Sequence, residues 1–445
     1  MKLLKMSHRV ANIILPLIYI TLLLFVAALM EGCADKCTDV QSYIYYEPQY
    51  ISLEDLRSSV KTGEIREIIN PGKIYYLNGY ILINQPGEGI HVVNNRDNKN
   101  PELVSFIEVP GNFDLAGKGN YLFVDSYIDL VVLDFSDFDN VVEKTRINNF
   151  FPNYNNHGYT LDPEKGLVTH WEEVKTVEEL TIDCESGYYY GWKNYRSGIL
   201  VASFDMAFSM ELSSVRSAAP QNPGIGGSLA RFTITGDFLF TVDESQLQSV
   251  DISNPLTPLL GSKQTVAWGL ETIFPYGDKL YIGANTGMHI FSVADPHNPE
   301  FMTTFSHVRS CDPVVVEGDY AYVTLRGGTN CRVAGTNQLD VLNIADPLNV
   351  KLIKSYALTN PGGLGIDNDI LFICDGDAGL KIFDATDKLT ISANKLAQYP
   401  DVKAIDVIPF NKVLMVIAKD GFYQYDYSDI TNISLLSQIP VTFEL

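Results

Sequence analysis

Residues 119–134 read GNYLFVDSYIDLVVLD, an apolar segment led by Gly119, a short turn and a second apolar segment that ends at Asp134. β-Branched and aromatic side chains are frequent in both segments, as is typical of strands. The Gly-Asn pair in front of the first segment is typical of a tight hairpin turn. This stretch therefore predicts two antiparallel strands of one small sheet.

The same pattern recurs along the chain with a period of about 40 residues. Each copy ends at a small polar residue that we call the anchor, and the seven anchors are Asn94, Asp134, Asp251, Ser292, Asn343, Asp384 and Asp426. Successive anchors lie 40, 117, 41, 51, 41 and 42 residues apart. Turn residues and a further strand follow most anchors, which gives four short strands per copy. The sequence thus predicts an all-β fold, a seven-bladed β-propeller of four-stranded antiparallel blades, with an insertion between blades 2 and 3.

The anchor strands LVVLD, at residues 130–134, and LKIFD, at residues 380–384, resemble the LVIVD repeat of bacterial envelope propellers. The resemblance covers about residues 72–150 and 226–442. It implies a periplasmic or surface lipoprotein, and it supplies no catalytic residues. Asn94, Ser292 and Asn343 replace the Asp of the repeat, which argues against a shared metal-binding role for the anchor position.

The first 33 residues have the features of an export signal. Residues 1–9 are positively charged and residues 10–30 carry no formal charge. Residues 30–33, Met-Glu-Gly-Cys, resemble the lipobox of bacterial lipoproteins, which implies cleavage after residue 32 and lipidation of Cys33. An uncleaved anchor is the alternative, because the apolar run is long enough to span a bilayer of about 30 Å. Both interpretations tether the chain to a membrane of the cell envelope, and we expect the outer membrane, on its periplasmic or surface face.

The predicted organisation is a lipoprotein-type signal peptide at residues 1–32, a tether at residues 33–62 and a β-propeller at residues 63–445. Residues 43–50 are an alternative edge strand within the tether, since they would cover an exposed sheet edge. The insertion occupies about residues 151–225. We expect it to leave the ring rather than to form an eighth blade, because the strand-like residues 199–205 lack a partner strand before them.

Charge limits the class of partner. The chain carries 32 basic and 54 acidic side chains, a net charge of −22. Phosphate groups are repelled by such a field, so nucleic acid is excluded as a partner. The acidity favours a cationic or metal-bridged partner, although solubility alone also explains it.

Aromatic residues cluster in the insertion, and they are the candidate binding residues. These are Trp171, Tyr189, Trp192 and Tyr195. Such rings stack on sugars or form protein contacts. The alternative is that they pack the insertion onto the propeller rim.

Two cysteines, Cys311 and Cys331, lie 20 residues apart around one predicted hairpin and are the candidate disulfide pair. Cys374 lies in an apolar strand and is expected to be a buried thiol. Residues 375–377, Asp-Gly-Asp, lack the other oxygen ligands of a calcium loop and predict a turn. The sequence contains no P-loop, Rossmann, GxSxG, HExxH or CxxC motif, so we expect no cofactor and no metal and assign no catalytic residue.

These features favour a membrane-tethered propeller that binds or scaffolds a protein or glycan partner on one face. A carbohydrate-active hydrolase or lyase with its site in the propeller channel is the alternative, and a purely structural envelope component is a third. Carboxylates that converge at a channel mouth would favour the enzyme, whereas an apolar or aromatic surface patch would favour binding.

Overall fold

The computed structural model describes residues 19–22, 36–151, 161–183, 212–213, 223–307, 313–327 and 337–444. The chain divides into two compact units. The smaller comprises Met1–Gln49 and Trp171–Asp205, and the larger comprises Tyr50–His170 and Met206–Leu445. Among the described residues, no helix has the length and apolar character needed to cross a membrane.

The described part of the smaller unit is β-structure. It consists of portions of two long strands, Lys36–Ile51 and Gly166–Asp183, which are neighbours in one sheet. Gln49 Nε2 donates a hydrogen bond of 2.9 Å to Glu172. The alternative edge strand at residues 43–50 is therefore part of a strand, but its partner is a strand of the insertion and not a blade.

The larger unit contains seven antiparallel sheets whose four strands follow one another along the chain, which confirms the predicted seven-bladed β-propeller. The strands of blades 1 to 7 are, in order, Ile74–Leu77, Tyr80–Gln85, Gly89–Asn94 and Glu102–Glu108; Leu115–Lys118, Tyr121–Ser126, Asp129–Asp134 and Val142–Ile147; Phe232–Thr235, Phe238–Val242, Gln246–Asp251 and Leu259–Thr265; Leu270–Tyr276, Lys279–Ala284, Gly287–Ser292 and Glu300–Ser306; Val314–Glu317, Tyr320–Leu325, Gln338–Asn343 and Lys351–Ala357; Leu364–Asp367, Ile370–Cys374, Leu380–Asp384 and Lys395–Tyr399; Ala404–Phe410, Val413–Ala418, Gly421–Asp426 and Ser434–Pro440.

Two-residue turns join the first and second strands of every blade, and their residues explain the Gly or Asn that begins each repeat. Gly119 has φ 59°, a left-handed conformation that glycine adopts without strain. In blade 6, Asn368 and Asp369 have φ 51° and 60°, the pattern of a type I′ hairpin turn. These turns match the right-handed twist of the strands that they join.

The anchor residues make the same contact in all seven blades. Each anchor side chain accepts a hydrogen bond from the backbone N–H two residues further on, as in the 2.8 Å bond from Ser253 to Asp251 and the 3.3 Å bond from Ala294 to Ser292. The other five pairs are Arg96 to Asn94, Ser136 to Asp134, Ala345 to Asn343, Thr386 to Asp384 and Ser428 to Asp426. Asp, Asn and Ser all form such turns, which explains why the anchor varies among them.

The apolar residues of the anchor strands form the core between blades. Leu133 and Val250 are 0% exposed and Phe383 is 7% exposed, as the repeat register predicts. Cys374 is a buried free thiol, which confirms the interpretation of its strand.

The ring closes through residues at the two ends of the larger unit. Ile69 and Thr442 form a parallel bridge, in which Asn70 N donates to Thr442 O at 2.8 Å and Thr442 N donates to Ile68 O at 2.9 Å. Closure thus joins the segment before blade 1 to the segment after blade 7.

A helix, Leu53–Ser58, and a strand, Lys61–Gly63, precede blade 1. Leu56 is buried in one cluster with Tyr127, and Arg57 Nε donates to Asp129 at 2.9 Å. The strand pairs with the outer strand of blade 1 and covers its edge. Residues 33–62, predicted as a tether, therefore contain two strands and a helix in their described part.

The insertion adds strands without contributing a blade, which confirms the predicted position between blades 2 and 3. Its described strands are Leu161–Asp162, Gly166–Asp183 and Leu212–Ser213, and it leads into Ile225–Gly226 and Ser228–Leu229. Ile225–Gly226 pairs with the inner strand of blade 1. Residues 199–205 lie outside the described residues.

Candidate functional site

The two faces of the propeller differ in their connections. One, which we call the uniform face, consists of the first-to-second turns and the third-to-fourth connections. The third-to-fourth connections span seven residues in every blade except blade 6, where residues 385–394 are longer. The opposite face, the variable face, carries the second-to-third loops and the connections between blades. Its loops range from residues 127–128 to residues 326–337, and it includes the whole insertion.

A segment of the chain occupies the axis of the ring. Residues 223–230, which we call the axial segment, hydrogen-bond to blades 1, 2, 4, 6 and 7 before the chain enters blade 3. Gly224 N donates to Gly117 O at 2.8 Å, and Ile273 N donates to Ala230 O at 2.9 Å. Ser228 is 0% exposed. Repeated contacts with different inner strands fix this segment at the centre of the propeller.

Asp406, on the inner strand of blade 7, holds the axial segment through Ser228. Ser228 Oγ donates to Asp406 Oδ1 at 2.9 Å and accepts from Leu364 N at 2.7 Å. Two glycines leave room for the carboxyl group: a Cβ atom on Gly227 would lie 1.7 Å from Asp406 Oδ2, and one on Gly363 would lie 1.9 Å from Oδ1. Burial raises the pKa of Asp406 to about 8.

Two further carboxylates lie at the start of blade 2. Asp114 forms an ion pair with Lys73 and accepts a hydrogen bond from Arg231 N. Asp125 accepts from Phe113 N at 2.7 Å and from Asp114 N at 2.9 Å, and burial raises its pKa to about 7. Lys73 opposes this effect at both Asp125 and Asp406 through its positive charge.

The carboxylates therefore converge around Lys73, as an enzyme in the channel would require, but they are engaged in holding the chain. Asp114, Asp125 and Asp406 are 2%, 5% and 0% exposed. Two of them could exchange a proton near neutral pH, which general acid–base catalysis requires. Their observed contacts are backbone amides, Ser228, Asn112, Lys73 and two glycines.

Trp268 is an exposed aromatic residue of the variable face that the sequence analysis did not select. It is 63% exposed and lies in the connection between blades 3 and 4. Its loop is fixed, because Gly269 N and Val266 N donate to Glu244 O and Ser245 O at 2.7 and 2.8 Å. The repeat register places residue 268 in a loop of this face, but its exposure follows only from the fold.

Most of the site residues predicted from sequence lie outside the described residues. These are Cys33, Tyr189, Trp192, Tyr195, Cys311 and Cys331. Trp171 is half-buried on the strand Gly166–Asp183. The described structure therefore does not bring the four aromatic residues together.

Asp375 takes part in a turn, as predicted for residues 375–377. Its Oδ1 accepts from Thr359 N and Asn360 N at 2.8 Å each, and Lys381 pairs with Oδ2. The following residues form the short 3₁₀ helix Gly376–Ala378. No group of three or more His, Cys, Asp or Glu side chains in the described part of the chain is arranged to hold a metal ion.

Comparison with known proteins identifies the repeat. The family model described as LVIVD repeat matches residues 113–149, 226–265 and 309–358. No curated protein matches the chain. Among solved structures, the periplasmic gluconolactonase PpgL of Pseudomonas aeruginosa has a TM-score of 0.50 at 10% identity, over 84% of this chain and 96% of that one. BamB of Moraxella catarrhalis has a TM-score of 0.44 at 11% identity, over 89% and 92%. At this identity the likeness to PpgL concerns the fold alone.

Proposed function

On the premise that this chain is a seven-bladed β-propeller with LVIVD repeats, we propose that it is a binding scaffold of the bacterial cell envelope. It is tethered to a membrane by lipidated Cys33 and engages a protein or glycan through the variable face. The likeness to the LVIVD repeat and the export signal of residues 1–33 support the envelope location.

The difference between the two faces carries this proposal. In a repeat protein, connections that keep one length in nearly every repeat serve the fold, whereas those that vary are free to serve binding. The uniform face is of the first kind and the variable face of the second. The insertion, with its aromatic residues, belongs to the variable connections.

Trp268 gives the variable face an exposed aromatic anchor. A tryptophan on a fixed loop binds at low entropic cost and is a frequent centre of binding energy in interfaces. Tryptophan also offers a flat apolar face to a sugar ring. The net charge of −22 favours partners with cationic groups.

The carboxylates around Lys73 favour a second candidate, a carbohydrate-active hydrolase or lyase. Raised pKa values at Asp125 and Asp406 are the observation in its favour. The axial segment opposes it, because Ser228 and the two glycines occupy the space beside Asp406. We therefore favour binding over catalysis.

The test uses full-length protein extracted from membranes. Trp268→Ala is compared with Leu348→Ala, whose side chain is 64% exposed on the uniform face. Each protein is applied to a glycan array and used for cross-linking in intact cells. We expect Trp268→Ala to weaken capture of the partner about tenfold, since truncating a central aromatic costs more than 1 kcal/mol, and Leu348→Ala to have no effect. Equal capture by both variants would contradict the proposal. Degradation of a polysaccharide that is lost in Asp125→Asn would instead support the enzyme.

A further inference from the structure

Blade 6 departs from the other six blades at several places that lie around one cleft. Its third-to-fourth connection, residues 385–394, is the longest of the seven, and its outer strand, Lys395–Tyr399, is the shortest. The extra residues form a short 3₁₀ helix, Ile391–Ala393. Departures of a single repeat from its neighbours mark positions that the repeat architecture itself does not require.

These departures line a cavity of about 210 Å³ between blades 5 and 6. Its inner wall is apolar, since Ile373 and Ile391 are 0% and 1% exposed and Phe383 is 7% exposed. Tyr356 completes this wall: its hydroxyl donates to Lys388 O at 2.7 Å and accepts from Ile391 N at 3.2 Å. The added 3₁₀ helix is thereby tied to blade 5, which fixes that end of the cavity.

Two lysines form the polar side of the same cavity. Lys381 lies three residues before the anchor Asp384, at a position where the other blades have His91, Val131, Gln248, His289, Asp340 and Tyr423. It is the only cation in this series. Lys395 stands on the outer strand, and its Nζ donates to Gln398 Oε1 at 2.7 Å. Ser392 and Gln398 add neutral polar groups to the lining.

The charge of the lining is positive, in a chain whose net charge is −22. Lys381 is paired with Asp375, whose carboxylate also accepts two backbone N–H groups. Lys395 forms no ion pair with any described residue. Its ammonium group is thus available to an anion beside the cavity mouth.

We propose that this cleft binds a small organic anion with an apolar body, whose charged group lies against Lys395 and Lys381 and whose body fills the space beside Phe383. The volume sets the size of the ligand. About 30 Å³ per liquid water molecule corresponds to roughly seven water molecules, so the cleft accommodates a body of about six to ten non-hydrogen atoms. The site is independent of the variable face.

The test measures binding to the full-length protein by titration calorimetry, with sodium hexanoate as the probe. Hexan-1-ol provides the same apolar chain without the charge, and acetate provides the charge without the chain. We expect saturable binding of hexanoate that is at least tenfold tighter than that of either control. Equal affinity for hexanoate and hexan-1-ol, or no binding of hexanoate, would overturn the proposal.

Variants then locate the site. Lys395→Met is expected to weaken hexanoate binding at least fivefold, and Ser392→Trp is expected to abolish it by filling the cleft while both lysines remain. Lys381→Gln keeps a donor for Asp375 and removes the charge. Lys279→Met is the matched control, because Lys279 also pairs with an aspartate, Asp278, but lies in blade 4. Thermal unfolding shows whether each variant is folded. Unchanged binding in a folded Ser392→Trp protein would show that hexanoate binds elsewhere.

Discussion

Ser228 donates a 2.9 Å hydrogen bond to Asp406, a residue 178 positions further along the chain. The bond ties the axial segment to blade 7, and the same hydroxyl accepts from Leu364 in blade 6. One serine side chain thus links the segment at the ring axis to two neighbouring blades. Its partner Asp406 is a buried acid whose protonation affects the stability of the ring.

Asp406→Asn should change how stability depends on pH. The ordinary pKa of 3.8 rises to about 8 in the folded protein. Between these values the folded state keeps a proton that the unfolded state releases, so this group makes stability fall as pH rises from about 4 to about 8. Asparagine stays neutral throughout. We expect the variant to lose this contribution and to exceed the wild type by at least about 1 kcal/mol at pH 9, measured by urea unfolding. Parallel pH profiles for the two proteins would contradict this assignment.

Gly227→Ala should disrupt the same contact by steric overlap. The added Cβ would lie 1.7 Å from Asp406 Oδ2, so the axial segment must shift. Overpacking of this kind costs about 1–3 kcal/mol. In the double variant with Asp406→Ala, the overlap disappears, and urea unfolding should give a cost smaller than the sum of the single costs by about 0.5–3 kcal/mol. Simple additivity would mean that the two residues are not in contact.

The anchor strands should be sensitive to truncation. Leu133→Ala and Phe383→Ala each leave a cavity between blades, with an expected loss of about 2–5 kcal/mol in the free energy of unfolding. Leu260→Ala is the control, because this side chain is 58% exposed, and its effect should stay within about 0.5 kcal/mol. Near-neutral results for both buried residues would mean that the strand register is wrong.

Cys33 should carry lipid in the mature protein, and residues 1–32 should be absent. Mass spectrometry of protein extracted from membranes measures both. Cys33→Ala should abolish processing and lipidation, whereas Cys37→Ala should leave them unchanged. An intact N-terminus in the wild type would favour the uncleaved anchor.

The blades could be predicted from sequence because their signals are local and repeated. Gly119 marks a turn, Asp134 marks the end of a strand, and both functions are fulfilled within a few residues along the chain. Seven repetitions of the pattern then define the ring even where an anchor is Ser292 instead of Asp.

The axial segment could not be predicted in this way. Residues 223–228, Pro-Gly-Ile-Gly-Gly-Ser, have the composition of a linker, and they read as the end of the insertion. Gly227 is required by Asp406, and this requirement becomes visible only when residues far apart in sequence are brought together. The cleft beside Lys395 is similar, because it depends on side chains from two blades.

The bridge between Ile69 and Thr442 has a consequence for the order of folding. The pairing involves residues from nearly opposite ends of the propeller sequence, as the bond from Thr442 Oγ1 to Glu67, 375 positions away, also illustrates. The ring cannot close until almost the whole chain has been delivered, so the last step of folding follows translocation. Contacts of such long range form slowly, and until they form, the inner strands of blades 1 and 7 remain open to pairing with other chains. For a protein of the envelope, this interval is the period in which assistance by a chaperone would matter most.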